Sequence, residues 1–276
     1  REPGSVLALT EVVNTEIAMG NPDAAIKRLD TVLKENPEHP AAHDLLGLAY
    51  AAKKDFARAE QEFARQLEIN PNSSVVYMQL AGARSAQGNT AGAEAALKKG
   101  LEVLPDDTRL TVALATFYGQ QGDMDKAAAV YTKALEDSPD ESRYVLALAG
   151  IRERQQQYEE AIKLYEGLLA SKPDNLLATN NLAALRADHR TDEASLNQAK
   201  ALADTLADAQ QPVLLDTVGW VYYRAGDYNK AAEVLSGVVE AAPDVPIFRY
   251  HLGMAYYKQG DNRAAKEILS GAVAED

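Results

Sequence analysis

Residues 108–141 read TRLTVALATFYGQQGDMDKAAAVYTKALEDSPDE, and this stretch decides the fold. Leu110, Leu114, Ala115 and Tyr118 recur at helical spacing, then Gly122-Asp123 interrupts the pattern. Ala127, Tyr131 and Ala134 resume it, and Pro139-Asp140 closes it. Gly supplies the left-handed backbone that ends a helix, Asp caps the next one, and Pro cannot continue a helix it follows. The stretch therefore predicts a helix, a tight turn, a second helix and a second turn, within 34 residues.

The punctuation repeats outward in both directions. Pro37, Pro71, Pro105, Pro139 and Pro173 stand 34 residues apart, and Pro243 follows Pro173 by 70, two periods plus two residues. The mid-period marks keep step: Gly20-Asn21, Lys54-Asp55, Gly88-Asn89, Gly122-Asp123, Gly226-Asp227 and Gly260-Asp261. A fixed period in this range marks a repeat array rather than a single packed core. The period gives eight repeats: 6–39, 40–73, 74–107, 108–141, 142–175, 176–211, 212–245 and a shortened 246–276.

The pattern resembles the tetratricopeptide-repeat family. That family places Leu and a small residue at steps 7 and 8, an aromatic at 11, Ala at 20, an aromatic or Leu at 24 and Pro at 32. Repeat two supplies Leu46, Gly47, Tyr50, Ala59, Phe63 and Pro71; repeat seven supplies Val218, Gly219, Tyr222, Ala231, Leu235 and Pro243. The resemblance implies an all-α solenoid of paired helices, a right-handed superhelix, with the whole chain as one array. The small residues at steps 8 and 20 allow close helix approach, so a larger side chain there overpacks the contact.

Some repeats depart from the pattern. Val13 and Glu16 occupy steps 8 and 11 of repeat one, which reads as a poorly matched end unit. Arg84 and Arg152 stand at step 11 of repeats three and five, where an aromatic is usual. Repeat six spans 36 residues, lacks the Gly turn and carries the polar run Ala187–Glu193 there, which predicts a longer loop between its helices. The chain starts at Arg1 without Met and stops at Asp276 inside a second helix, so a piece of a longer array is expected.

Composition narrows the function. A formal charge of −13 opposes binding to nucleic acid, whose phosphates demand clustered Lys and Arg. No cysteine is present, which removes disulfides and thiolate chemistry, and the longest apolar run, Val145–Ile151, is far too short to span a membrane. Nucleophile-elbow, phosphate-loop, dinucleotide and zinc-protease motifs are missing from the sequence, so neither an enzyme nor a cofactor site is expected. His39 and His43 have ligand-like spacing, but Pro40 lies between them at a repeat junction and His43 occupies a packing step. Acidic clusters such as Asp106-Asp107 coincide with helix caps.

The family resemblance assigns steps 2, 5, 6, 9, 12 and 13 of each first helix to a concave ligand groove. In repeats six to eight these steps hold Asn180, Asn181, Asp216, Trp220, Tyr223, Arg224, Tyr250, Met254, Tyr257 and Lys258. Trp, Tyr and Arg are the residues most often found as binding hot spots, and paired amides can hold a peptide backbone. The expected partner is a protein or peptide held in that groove. The carboxylate clamp of chaperone-binding relatives is missing, since Thr10 replaces its first Lys and Val213 and Thr217 replace its last cations.

Leu215–Tyr223 and Tyr250–Tyr257 further resemble terminal repeats of bacterial lipoproteins of the PEP-CTERM/exosortase system and of exopolysaccharide exporters. That implies a scaffold in a Gram-negative envelope assembly, in the periplasm or at the outer membrane. The competing readings are an RNA-binding helical repeat, opposed by the acidic balance and strict period, and a regulatory domain of an enzyme outside the chain.

Overall fold

A computed structural model describes residues 6–39, 41–190 and 192–273, with the side chains of 272 and 273 excepted. Pro40, Thr191 and Asp276, which figure in the sequence reading, lie outside the described residues. Among the described residues there are sixteen α-helices and no strand. Contacts divide the chain into two compact units, Arg1–Ala134 and Leu135–Asp276. The all-α helical-hairpin fold with about eight repeats is the one the sequence predicts.

In the first unit the helices are α1 (Val6–Ala18), α2 (Pro22–Glu35), α3 (Ala42–Ala52), α4 (Phe56–Ile69), α5 (Ser74–Ala86), α6 (Thr90–Val103) and α7 (Thr108–Gln120), and α8 (Met124–Asp137) contains the division. The second unit has α9 (Ser142–Arg154), α10 (Tyr158–Ser171), α11 (Leu176–His189), α12 (Glu193–Asp204), α13 (Pro212–Arg224), α14 (Tyr228–Ala241), α15 (Pro246–Gln259) and α16 (Asn262–Val273). Each periodic proline falls two residues past the end of a second helix, as Pro71 does after Ile69 and Pro243 after Ala241.

The turns inside the hairpins share one backbone signature. Residues 20, 54, 88, 122, 156, 226 and 260 all have φ between 59° and 88°. Five are Gly, but Lys54 and Gln156 hold the same left-handed conformation at a steric cost that Gly avoids. Asp55, Asn89 and Asp227 then cap the following helices, accepting from Arg58 N, Gly92 N and Lys230 N.

Within each hairpin the small step-8 residue meets the large step-24 residue. A Cβ built on Gly47 would lie 2.5 Å from the Phe63 ring, and one on Gly219 would lie 2.4 Å from Leu235. Phe63, Leu235 and Tyr165 at this step are almost wholly buried, as are Ala59, Ala161 and Ala231 at step 20. These clusters carry the apolar burial that holds each hairpin, at roughly 25 cal/mol per Å² removed from water.

In several repeats step 11 links the first helix to the preceding second helix. Tyr118 Oη donates to Glu94 at 2.8 Å, and Tyr256 Oη lies 3.1 Å from Ser236 Oγ. Arg84 performs the same link to Glu60 at 2.8 Å, and the buried Arg186 reaches Glu166 and Gln198. Arg therefore replaces the aromatic by spanning the same gap with a charge-assisted bond. Arg152 stays local, with Glu160 at 3.1 Å and Gln157 at 2.9 Å. In repeat one Val13 is fully buried and Glu16 pairs with Arg28 of α2 at 2.5 Å.

Repeat six departs from the expectation of a long inter-helix loop. α11 ends at His189 and α12 starts at Glu193, a gap no longer than that from Arg154 of α9 to Tyr158 of α10. The extra length sits elsewhere: α11 has 14 residues where α9 and α13 have 13, and 205–211 is a seven-residue link to α13. Arg190, at the step where other repeats turn left-handed, is extended with φ −128° and donates to Glu159 at 3.0 Å. Asp192 then caps α12 through Ser195 N at 2.9 Å, so no Gly is needed. Leu206, inside the longer link, is buried with Ala199, Ala203 and Val218 and anchors the insertion.

Candidate functional site

The first helices of the second unit, α9, α11, α13 and α15, begin in register: their second residues are Arg143, Leu177, Val213 and Ile247. Equal register sets equal steps side by side, so one face carries the candidate residues.

Asn180 and Asn181 sit on α11, whose start is capped by Asn175 Oδ1 accepting from Ala178 N at 3.0 Å. Asn180 Nδ2 donates to Asn181 Oδ1 at 3.2 Å, and Asn181 Nδ2 donates to Tyr165 Oη at 3.2 Å. Tyr165 Oη donates to Glu153 Oε1 at 2.6 Å. Burial, then the Glu153 bond, drives the Tyr165 phenol well above its ordinary range, so it remains a donor. A carboxylate only accepts, which fixes the direction of the whole chain and with it both amide orientations. Asn180 Oδ1 is left buried without a donor among the described residues.

Trp220 on α13 is held from three sides. Its Nε1 donates to Asp188 Oδ1 of α11 at 2.9 Å. Its indole stacks on Tyr223 with ring centroids 4.7 Å apart, and on His251 of α15 at 4.2 Å. Tyr250 is tilted against it at 6.4 Å. Arg224 donates to Asp188 Oδ1 at 3.1 Å and to the Asp188 carbonyl at 3.2 Å, and its guanidinium lies 5.9 Å from the indole centroid. His251 Nδ1 is 2.9 Å from both carboxylate oxygens of Asp216, which is only 7% exposed. Burial, then the neighbouring Tyr228 and Tyr250, pushes the Tyr223 phenol up.

The structure thus joins Asp216, Trp220, Tyr223, Arg224 and Tyr250 into one cluster across α11, α13 and α15. Asn180 and Asn181 form a separate chain that runs back to α10 and α9. Met254 is half-buried on α15, between the exposed Tyr250 and Tyr257. Trp220 emerges as the keystone of the cluster, with its N–H and ring faces largely engaged by its own neighbours. Tyr250 and Tyr257, 43% and 57% exposed, are the aromatic surfaces left open.

Two kinds of residue escaped the sequence reading. Asp188 and His251 complete the cluster, yet Asp188 looked like part of a polar loop, 32 residues before the tryptophan it holds. Leu177, Val213 and Ile247 are exposed apolar residues at step 2, and that step alone was enough to find them. His43, which raised the question of metal, contacts Glu62 at 2.6 Å and the Pro37 carbonyl at 3.0 Å. Among the described residues no cluster of three ligand-type side chains is placed to hold a metal, and no helix is long and apolar enough to cross a membrane.

Comparison with known proteins agrees with this architecture. One tetratricopeptide-repeat model matches residues 13–74 and 112–175, and a second matches 50–116 and 222–276, together well over half of the chain. No curated protein matches it. Among solved structures, the C-terminal part of a TPR repeat-containing protein from Cytophaga hutchinsonii is 13% identical, with a TM-score of 0.63 over 88% of this chain and 99% of that one. YrrB, described as a TPR protein with an unusual peptide-binding site, is 18% identical with a TM-score of 0.52, over 65% of this chain and 92% of its own. At these identities the likeness is one of fold. The repeats, their turns and their packing steps all lead to one conclusion: the chain belongs to the tetratricopeptide-repeat family.

Proposed function

We propose that this chain is a protein-interaction scaffold that holds an extended segment of a partner protein on the first-helix face of repeats six to eight. Tetratricopeptide repeats generally mediate protein–protein interaction and are typically non-enzymatic. The peptide-binding site named for YrrB supports the reading by analogy of fold. The observation that carries it is local: Tyr250, Tyr257, Val213 and Ile247 are 43–57% exposed on a face fixed by the Trp220 cluster. Large apolar side chains left in water beside a rigid aromatic anchor mark an interaction surface.

The wider setting we propose is a bacterial envelope assembly, with exopolysaccharide export as the leading candidate. Its support is the resemblance of Leu215–Tyr223 and Tyr250–Tyr257 to terminal repeats of such proteins. A display library of random nine-residue peptides, selected on the wild-type chain, tests the binding reading. Selected peptides should lose at least tenfold in affinity for the Tyr250→Ala/Tyr257→Ala variant, with helicity by circular dichroism unchanged. Equal affinity for that variant places the binding surface elsewhere.

A further inference from the structure

Resting on that reading, we infer that the docked segment is apolar at its centre and acidic at its ends, the opposite of what a chain of charge −13 suggests. The acids on this face are already engaged. Glu153 accepts from Tyr165, Asp188 from Trp220 and Arg224, and Asp216 faces His251. Arg224 is spent on Asp188. Arg143, Arg154 and Lys258 are exposed and form no ion pair among the described residues. At steps 2, 5, 6, 9, 12 and 13 of these four helices the free charges are therefore all positive.

Their placement frames the apolar surface. Along step 2, Arg143 of α9 is followed by Leu177, Val213 and Ile247, each about half exposed. Along steps 12 and 13, Arg154 of α9 is followed by the engaged Asp188–Arg224 pair and then by Tyr257 and Lys258 of α15. Three interhelix steps of about 9 Å separate α9 from α15. That span of roughly 27 Å accommodates about eight or nine extended residues. A carboxylate at either end meets a free cation, while the middle meets aliphatic and aromatic surface.

The net negative charge of the chain opposes this only at long range. At physiological salt, exposed charges beyond about 8 Å are largely screened, so the nearest cations decide. Net charge describes solubility and encounter; the local pattern describes recognition.

Display selection with the same nine-residue library tests the inference. Selected peptides should carry Asp or Glu beside an apolar centre. In fluorescence anisotropy, an Arg143→Glu/Arg154→Glu/Lys258→Glu variant should bind them at least tenfold more weakly. Lys-for-acid versions of the same peptides should show the reverse preference. All three residues are exposed, so the variant keeps its fold, which circular dichroism verifies. Selected peptides with basic or uncharged ends, or a charge-reversal effect below twofold, overturn the inference. If such peptides still depend on Tyr250 and Tyr257, the scaffold reading survives and only the acidic partner is wrong. If no peptide enriches over an empty matrix, both readings fall together.

Discussion

Replacing Gly47 with Ala adds one methyl group to the tightest contact of repeat two. Its Cβ would stand 2.5, 2.6 and 2.9 Å from three atoms of the Phe63 ring, which is only 1% exposed. Overpacking of this kind costs roughly 1–3 kcal/mol. Ala is a better helix former than Gly by about 1 kcal/mol, which offsets part of that cost. The net expectation is a loss of about 1 kcal/mol. Gly82 supplies the control, because it lies inside α5, is exposed, and would place its Cβ more than 4 Å from any neighbour. Gly82→Ala should therefore gain about 0.5–1 kcal/mol from propensity alone. The two chemically identical changes should move the urea midpoint, followed by far-ultraviolet circular dichroism, in opposite directions. A Gly47→Ala protein as stable as Gly82→Ala would refute the close-approach account of the hairpin.

Other outcomes follow from particular residues. Lys54→Gly and Gln156→Gly each relieve a left-handed non-glycine turn and should raise stability by about 1 kcal/mol in the same assay; a fall would mean those turns are not strained. Asn175→Ala removes the cap of α11 and should cost about 1 kcal/mol, while Asn175→Asp should be nearly neutral. The Tyr222 phenol, held by its hydrogen bond to Asp204 and then by burial, is pushed up to about 12. Its stabilising contribution is present below an unfolded value of about 10 and is lost as pH rises through the folded value. An ultraviolet titration should lose a step near pH 12 in Tyr222→Phe, with the still later Tyr165 phenol unaffected, and an unchanged curve would contradict the assignment. Asp188→Ala frees the indole N–H and Arg224 together, so Trp220 emission should shift to the red and acrylamide quenching should rise, while Asp188→Asn, which keeps an acceptor, should do less.

The fold was legible because a repeat array is nearly one-dimensional: each hairpin is specified by residues within about one period of it. Pro71, Gly88 and Ala59 announce a turn or a close contact by their own chemistry, without reference to distant partners. Repeat six was harder to read. Without Gly at residue 190, the polar run looked like a long loop, whereas Asp192 caps α12 directly and Leu206 buries the added length further on. The candidate site was legible only in part. Trp220 and the tyrosines stand out by type, but what holds them comes from neighbouring helices. Asp188 acts from the end of α11 and His251 from the middle of α15, and neither declares that role in its local sequence. Arg186 shows the same limit, since only the packed structure reveals that it performs the step-11 link to Glu166.

Trp220 is the chain's one tryptophan and lies at the centre of the proposed binding face, so its fluorescence reports on that face alone. The most direct test of the scaffold account is acrylamide quenching of Trp220 with and without a saturating display-selected peptide, whose binding is measured separately by anisotropy. A segment lying across α11, α13 and α15 should shield the indole edge and lower the quenching constant at least twofold, with a blue shift of the emission. A peptide that binds fully while leaving both the quenching and the emission of Trp220 unchanged docks elsewhere, and contradicts the account.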